Sequence, residues 1–257
     1  SNAFNKDDVG YATAAAAGLD GGSTNPTAAS VNTKSKFGIY TFDGDSANRT
    51  LSHGLGQQPD FMIVKKKSAS GNSWVVWHKS IDNTKYLILN GVNNEDTDAT
   101  LFNSHGSDSS TLWTLGSNTS INETGQSSVA YLWCDVPGLQ KFGKYTGNAS
   151  GNPFIELGFR PALLWIKNTS TSSTDWILIN SERQPINSGT MKKLYANTDS
   201  SESNTGIDVQ NNLDLLSNGF KLRDSNNRVN ATGDVYIYAA WAEAPMNNLF
   251  GGQSNAR

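Results

Sequence analysis

The sequence predicts an all-β fold, and three observations lead to this prediction. Short runs rich in Val, Ile, Trp, Tyr and Phe recur along the 257 residues, and this composition favours strands. Clusters of Gly, Asn, Asp and Ser separate the runs and are typical of turns. Little in the sequence favours a helix outside a group of alanines near the N-terminus, Ala12 and Ala14 to Ala17.

The predicted strands form two sets of seven. The first set comprises residues 37–42, 49–53, 60–67, 74–79, 85–90, 111–115 and 128–136. The second set comprises residues 142–146, 153–157, 162–167, 175–180, 192–196, 219–223 and 234–243. Seven short strands in each stretch of roughly 100 residues predict β-sandwiches of the jelly-roll or immunoglobulin-like type.

The second set repeats the first. Three pairs of segments correspond in the same order along the chain: 37–41 with 142–146, 59–65 with 161–167, and 133–137 with 241–245. Self-similarity of this kind predicts two tandem units that arose by internal duplication.

The duplication sets the predicted domain boundaries. We expect one β-sandwich repeat over 37–141 and a second over 142–245, with a link between them that is too short for free movement. Residues 1–36 open with Ser-Asn-Ala, as a cleaved tag does, and are expected to form an extended N-terminal arm or the end of a preceding module. Residues 246–257 are expected to be a C-terminal tail.

Charge and cysteine content argue against several kinds of partner. The net charge is −3 and the pI is about 5.6, whereas domains that bind nucleic acid usually have a pI above about 9. No stretch approaches the ~18 apolar residues of a membrane-spanning helix, so membrane insertion is not expected. Cys134 is the one cysteine, which leaves neither a disulfide framework nor a thiolate metal cage.

Metal binding is not expected from the remaining ligand-type residues. His53, His78 and His105 are far apart in the sequence and are interpreted as structural histidines. The loop 93–98 carries oxygen ligands suited to calcium but lacks the EF-hand spacing. The segment 43–45, Asp-Gly-Asp, predicts a hairpin turn. We therefore predict no metal and no cofactor.

The sequence also gives little support for an enzyme. A glycosidase needs two carboxylates facing each other across about 5 to 9.5 Å, and the best candidates are Asp60, Asp135 and Glu243. Asp135 and Glu243 correspond in the two repeats, which favours a shared structural role. No nucleophile elbow, P-loop or HExxH motif is present. We predict no catalytic residue.

The tryptophans are possible binding residues, because an exposed aromatic ring offers a flat apolar face to a sugar. Most lie in predicted strands and recur in both repeats, which is typical of core residues. Trp77 and Trp113 are different, because Ile179 and Lys221 stand at the corresponding positions. These two tryptophans are the candidates for exposed, ligand-binding side chains.

Three predicted strands are apolar on both of their alternating faces, at 74–77, 163–166 and 176–179. Such a strand needs cover on both sides. One cover is the facing sheet, and the second is a long loop, the sister repeat or another chain. This pattern favours association of several chains.

The second repeat and the C-terminus carry the most specific motifs. They are Gly-x-Tyr-Thr-Gly at 143–147, Leu-Gly-Phe-x-Pro-Ala-Leu-x-x-x-Lys at 157–167, Leu-Ser-Asn-Gly-Phe-Lys-Leu-Arg at 216–223, Tyr-x-Tyr-Ala-Ala-x-Ala-Glu-x-Pro at 236–245, and the end of the chain, 248–257. Together they resemble a duplicated domain of tail-fibre-like virion proteins of marine bacteriophages. The first repeat departs more, with Asp60 in place of Ala and Leu-Trp-Thr-Leu at 112–115 in place of Gly-Phe-Lys-Leu.

The resemblance implies a non-enzymatic virion appendage that faces the extracellular medium and takes part in attachment to the host. It implies a homotrimer whose partners are other virion proteins and a host cell-surface glycan or protein. Three alternatives stay open at this point: an architectural head or neck fibre component, a bacterial extracellular carbohydrate-binding or adhesion module, and a glycan depolymerase.

Overall fold

The fold is all-β and divides into two compact units. The structure is a computed structural model that describes residues 2–67, 72–149, 151–183, 187, 192–202, 213–223 and 225–244. Unit 1 comprises Ser1–Ile88 and Glu95–Asp135, and unit 2 comprises Leu89–Asn94 and Val136–Arg257. The predicted C-terminal tail, residues 246–257, lies outside the described residues.

Unit 1 is built from two sheets. Its strands are β1 (Phe4–Lys6), β2 (Val9–Tyr11), β3 (Ala28–Asn32), β4 (Phe37–Asp43), β5 (Arg49–Ser52), β6 (Phe61–Lys66), β7 (Val75–His78), β8 (Lys85–Ile88), β9 (Asp96–Thr97), β10 (Leu112–Leu115) and β11 (Ser127–Trp133). A 3-10 turn spans Asn103–His105, and a short helix, α1 (Thr119–Asn122), precedes β11. The larger sheet has the order β2-β1-β3-β4-β11-β6-β7-β8-β9, and β5 pairs with β10.

Alternating side chains explain why the central strands of unit 1 form. In β4 the inward residues Gly38, Tyr40 and Phe42 are buried while their neighbours are partly exposed. This period of two matches the pleat of a sheet with one face on the core. From the second sheet, Trp113 of β10 packs edge-on against Phe42 with the ring centroids 5.7 Å apart. The two sheets of unit 1 therefore share apolar contacts.

The N-terminal segment, predicted as an extended arm or the end of a preceding module, adds strands to this sheet. Strand β3 pairs antiparallel with β4 from Ala28 opposite Thr41 to Asn32 opposite Phe37, and β1 pairs parallel with β3. The alanine run does not form a helix. It forms turns in which Ala14 and Ala17 are buried.

The described residues of unit 2 also form two sheets. Its strands are β12 (Gln140–Thr146), β13 (Phe154–Glu156), β14 (Pro161–Asn168), β15 (Ile177–Asn180), β16 (Leu194–Tyr195), β17 (Leu213–Leu216), β18 (Gly219–Leu222) and β19 (Val235–Ala242). The sheet orders are β12-β19-β14-β15-β16 and β13-β18-β17. Side chains from both sheets, such as Ile166, Tyr236 and Phe220, meet in one hydrophobic core.

All fourteen predicted strands are confirmed, with ends that differ by a few residues. The first seven correspond to β4, β5, β6, β7, β8, β10 and β11, and the second seven to β12, β13, β14, β15, β16, β18 and β19. The sequence did not predict β1, β2, β3, β9 or β17.

The predicted hairpin turn at Asp43-Gly44-Asp45 is wrong. Strand β4 pairs with β3 and β11, whereas β5 pairs with β10 in the other sheet. Gly44 lies against the loop after α1, where a methyl group would overlap the carbonyl oxygen of Glu123. Glycine is required here because two backbones approach each other closely.

The connection between sheets is repeated in unit 2. A methyl group at Gly147 would overlap the carbonyl oxygen of Ala231. In unit 1 the buried Asn122 side chain accepts a hydrogen bond from the backbone N–H of Asp45 at 3.1 Å. In unit 2 the buried Asn230 side chain accepts one from the backbone N–H of Asn148 at 2.7 Å. An asparagine therefore fastens the strand-to-strand connection in each unit.

Candidate functional site

Trp77 and Trp113 are core residues, so the prediction that they are exposed is wrong. Their exposed fractions are 3% and 0%. His105 covers the Trp77 ring, with the ring centroids 4.1 Å apart, and Trp113 points from β10 toward Phe42. Neither indole presents a face to solvent on which a ligand could stack.

The same contact explains how β7 is covered. All four residues of this strand are buried within one chain. A long loop supplies cover on one side, because the turn Asn103–His105 lies over Trp77. The apolar faces of β7 therefore do not require another chain.

The three histidines are buried and do not converge on a metal site. His53 and His78 have no exposed surface, and His105 is 6% exposed. His105 Nδ1 lies 2.8 Å from the Oδ2 atom of Asp108. Burial is the main cause that lowers the pKa of His53 to about 4. Among the described residues, no group of three or more His, Cys, Asp or Glu side chains is arranged to hold a metal ion.

The carboxylates considered for glycosidase chemistry are held in ion pairs. Lys79 Nζ bonds to Asp135 and lies 3.3 Å from Asp60. Burial lowers the pKa of Lys79, but the hydrogen bonds and charges of Asp135 and Asp60 outweigh it and raise that pKa. Glu243 pairs with Arg160 at 2.8 Å. A cationic side chain pairs with each of these carboxylates, which favours a structural role for Asp60, Asp135 and Glu243.

Two side chains of nucleophilic type are deeply buried. Burial raises the pKa of the Cys134 thiol to about 12, so the reactive thiolate is scarcely populated at neutral pH. Burial lowers the pKa of Lys167 to about 8. The Lys167 ammonium group donates to the carbonyl and hydroxyl oxygens of Thr174, and it is completely buried.

A polar pocket in unit 1 offers a different kind of site. Its volume is about 290 Å³, close to the lower end of the ~300–1,000 Å³ range of small-molecule sites. It is lined by apolar side chains of Val75, Ile88 and Leu101 and by polar residues Asn72, Ser73, Tyr86, Asp98, Asn118 and Ser120. Strands β7 and β8 and the segments that lead to α1 thus supply one cavity.

Asp98 is the charged residue of this pocket, and its carboxylate is fixed in place. Its Oδ1 atom accepts hydrogen bonds from the backbone N–H and the hydroxyl of Thr100 at 2.9 and 2.5 Å. Its Oδ2 atom accepts one from the Asn118 side chain at 2.7 Å. Because each carboxylate oxygen has about two acceptor sites, Oδ2 keeps the capacity to accept a further hydrogen bond.

Asn118 positions both Asp98 and the first turn of α1. Its Oδ1 atom accepts from the backbone N–H of Ser120 at 2.8 Å, which is the usual role of an asparagine at a helix N-cap. Its Nδ2 atom donates to Asp98 and, at 3.1 Å, to the hydroxyl of Thr100. The pocket wall is therefore a connected hydrogen-bond network.

Tyr86 contributes a neutral phenol to the same pocket. Burial, followed by the negative charges of Asp96 and Asp98, raises its pKa, so the hydroxyl keeps its proton at neutral pH. This hydroxyl lies 3.3 Å from Asp96 Oδ2, to which it donates. Among the described residues that line the pocket, none is a Lys, Arg or His.

The sequence indicated only one residue of this pocket as a possible ligand-binding residue. Asp98 belongs to the loop 93–98, which was considered for calcium. In the structure Glu95 is bonded to Lys85, while Asp96 and Asp98 accept hydrogen bonds from protein groups. The acidic residues of this loop therefore have partners within the protein.

Comparison with known proteins places the chain in a family. Residues 10–245 match the family described as a domain of unknown function (DUF7483), and the chain belongs to that family. No curated protein and no solved structure is significantly similar to it. In the part of the chain that the structure describes, no helix is long and apolar enough to cross a membrane.

Proposed function

We propose that this member of the DUF7483 family is a non-enzymatic component of a virion appendage, faces the extracellular medium and takes part in attachment to the host cell. In this proposal the two units are tandem β-sandwiches that arose by internal duplication. The proposal extends the resemblance to tail-fibre-like virion proteins.

Corresponding elements of the two units support the duplication. The order β4-β11-β6-β7-β8 in unit 1 corresponds to β12-β19-β14-β15-β16 in unit 2, and the pair β5–β10 corresponds to β13–β18. The glycine and asparagine that fasten the connection between sheets also stand at matching places, as Gly44 with Gly147 and Asn122 with Asn230. Descent of both units from one ancestral unit would explain the shared strand order and the matching glycines and asparagines.

The polar pocket of unit 1 is the observation that carries the attachment function. It combines a fixed acceptor, Asp98, with a neutral phenol, Tyr86, and with hydroxyl and amide groups around an apolar wall. A few polar groups held in position within a concave surface are typical of binding sites. Hydrogen bonds hold these polar groups in fixed positions, as specific recognition of a ligand requires.

The composition is poor in charged residues. Only 17% of the residues are charged, against about 25% in typical soluble domains, and polarity comes mainly from Asn, Ser, Thr and Gly. The trimer stays a prediction from the resemblance. The cover of β7 within one chain removes the argument from apolar faces for that strand only.

Deletion of the coding segment for residues 4–245 from the virus that carries it tests this proposal. We expect complete particles whose adsorption to host cells slows by about tenfold or more, because multivalent attachment is lost. Electron microscopy counts the particles, and depletion of free particles measures adsorption. Failure to assemble would instead favour an architectural component. Normal adsorption would contradict the proposal, and release of reducing ends from host polysaccharide by the purified protein would favour a depolymerase.

A further inference from the structure

We propose that the polar pocket of unit 1 binds one uncharged saccharide residue, such as a hexose, a deoxyhexose or an N-acetylhexosamine. The inference rests on the proposed attachment function for the source of this saccharide, a glycan at the host surface. The size, hydrogen-bonding groups and charge of the cavity indicate this class of ligand.

The size of the cavity limits the ligand. A volume of about 290 Å³ lies at the bottom of the range for small-molecule sites. It accommodates one sugar ring, whereas a drug-sized ligand or a folded peptide segment needs more room. A longer glycan would therefore place one residue inside and extend over the surface.

The hydrogen-bonding groups match those of a sugar. Each sugar hydroxyl both donates and accepts, and so needs partners of both kinds. Asp98 Oδ2 can accept a further bond, and the Tyr86 hydroxyl, which donates to Asp96, can also accept one. The hydroxyls of Ser73 and Ser120 can donate or accept. Neighbouring donors and acceptors of this kind suit vicinal hydroxyls.

The apolar part of the wall fits the carbon skeleton of the same ligand. Val75 and Leu101 are each 2% exposed and line the cavity together with Ile88. A pyranose ring presents C–H groups on its faces, and contact with apolar side chains removes that surface from water. The mixed wall is thus complementary to a molecule that is polar at its edge and apolar on its face.

Charge selects against acidic sugars. The Asp98 carboxylate lines the pocket, and no described lining residue is a cation. The nearby Lys85 is bonded to Glu95, and Lys66 pairs with Glu123 at 2.5 Å. Lys65 Nζ bonds to the backbone carbonyl of Asn72 but does not itself line the pocket. A uronic or sialic acid would place a second negative charge near the Asp98 carboxylate, which is unfavourable in a partly buried site.

Calorimetric titration of the purified chain with methyl glycosides tests this inference. We expect uncharged hexosides or N-acetylhexosaminides to bind with dissociation constants on the order of 1 mM, and methyl glucuronide and sialic acid not to bind detectably in the same range. Ser120→Arg extends a charged side chain into the pocket from an exposed position on α1. It should weaken binding by about tenfold or more.

Thr119→Arg is the matched control, since it adds the same charge at the neighbouring exposed position of α1, which does not line the pocket. It should bind the sugar within about twofold of the unchanged chain. Urea unfolding of both variants shows that the fold is kept.

The outcomes separate this inference from the proposed function. If no uncharged glycoside binds, if acidic sugars bind more tightly, or if Ser120→Arg binds as the unchanged chain does, the saccharide inference is wrong. If in that case the labelled chain still binds host cells, the attachment function stands. If the chain binds an uncharged sugar but not host cells, the inference stands and the attachment function falls.

Discussion

Replacement of Asn122 by alanine is expected to destabilise unit 1 by roughly 3–5 kcal/mol. Asn122 is fully buried, and its Oδ1 atom accepts from the Asp45 backbone N–H at 3.1 Å and from Arg49 Nη2 at 2.8 Å. Its Nδ2 atom donates to the carbonyls of Ala47 and Gly116 at 2.8 and 2.7 Å. Alanine removes all four hydrogen bonds and takes the Asn122 donor away from the buried Gly116 carbonyl.

Urea denaturation measures this loss. Thr124→Ala is the control, because the exposed Thr124 side chain in the same loop has a hydrogen bond to Ser46 at 3.1 Å, and it should cost no more than about 1 kcal/mol. Asn230→Ala should destabilise unit 2, since Asn230 is also fully buried and bonds to both backbone groups of Asn148. Equal stabilities of the Asn122 and Thr124 variants would show that the asparagine does not fasten the connection.

Acidification from pH 7 to pH 4 is expected to remove about 3 kcal/mol of stability through His53 alone. Burial lowers the pKa of His53 from 6.5 to about 4, and the carbonyl of Ser109 and the charge of Asp108 oppose this only in part. The folded state therefore holds the neutral ring, while the unfolded chain takes up a proton below pH 6.5. The His53 contribution is complete above pH 6.5 and is lost as the pH falls toward 4.

The hydrogen bonds of His53 fix the neutral form. Its Nδ1 atom accepts from the backbone N–H of Leu55 at 3.0 Å, so the proton lies on Nε2, which is 3.2 Å from the carbonyl of Ser109. His53→Gln does not titrate in this range. The difference in unfolding free energy between the two chains should shrink by about 3 kcal/mol between pH 7 and pH 4. A constant difference would mean that His53 is not held neutral by burial.

The sequence predicted the strands well where the pattern is local. In β4 and β14 large apolar residues are bounded by turn residues, and such runs identify strands without knowledge of their partners. Strand β3 was missed because its inward side chains, Ala29 and Val31, are few and small. Its pairing with β4 makes it a strand, and this pairing depends on contacts that the local pattern does not contain.

Burial of the tryptophans was harder to predict. Trp77 and Trp113 lack aromatic counterparts in the other repeat, but this difference does not indicate whether their side chains are exposed. Trp77 is buried because His105, distant in sequence, lies over its ring. Contacts of this kind depend on how a long loop folds back.

The pocket was not predicted because its residues come from separate segments. Ser73, Tyr86, Asp98 and Ser120 are each ordinary residues for a turn or a strand edge, and no motif links them. Pairing of β7 with β8 and the capping of α1 by Asn118 bring them together. Only the acidic loop that contains Asp98 gave a signal, and it suggested calcium.

The adsorption rate of particles that carry Ser120→Arg, compared with particles that carry Thr119→Arg, tests the central claim most directly. We expect both kinds of particle to assemble. The Ser120 variant should adsorb to host cells at least about tenfold more slowly than unchanged particles, while the Thr119 variant should adsorb at the normal rate. Normal adsorption by the Ser120 variant would contradict attachment through the unit 1 pocket.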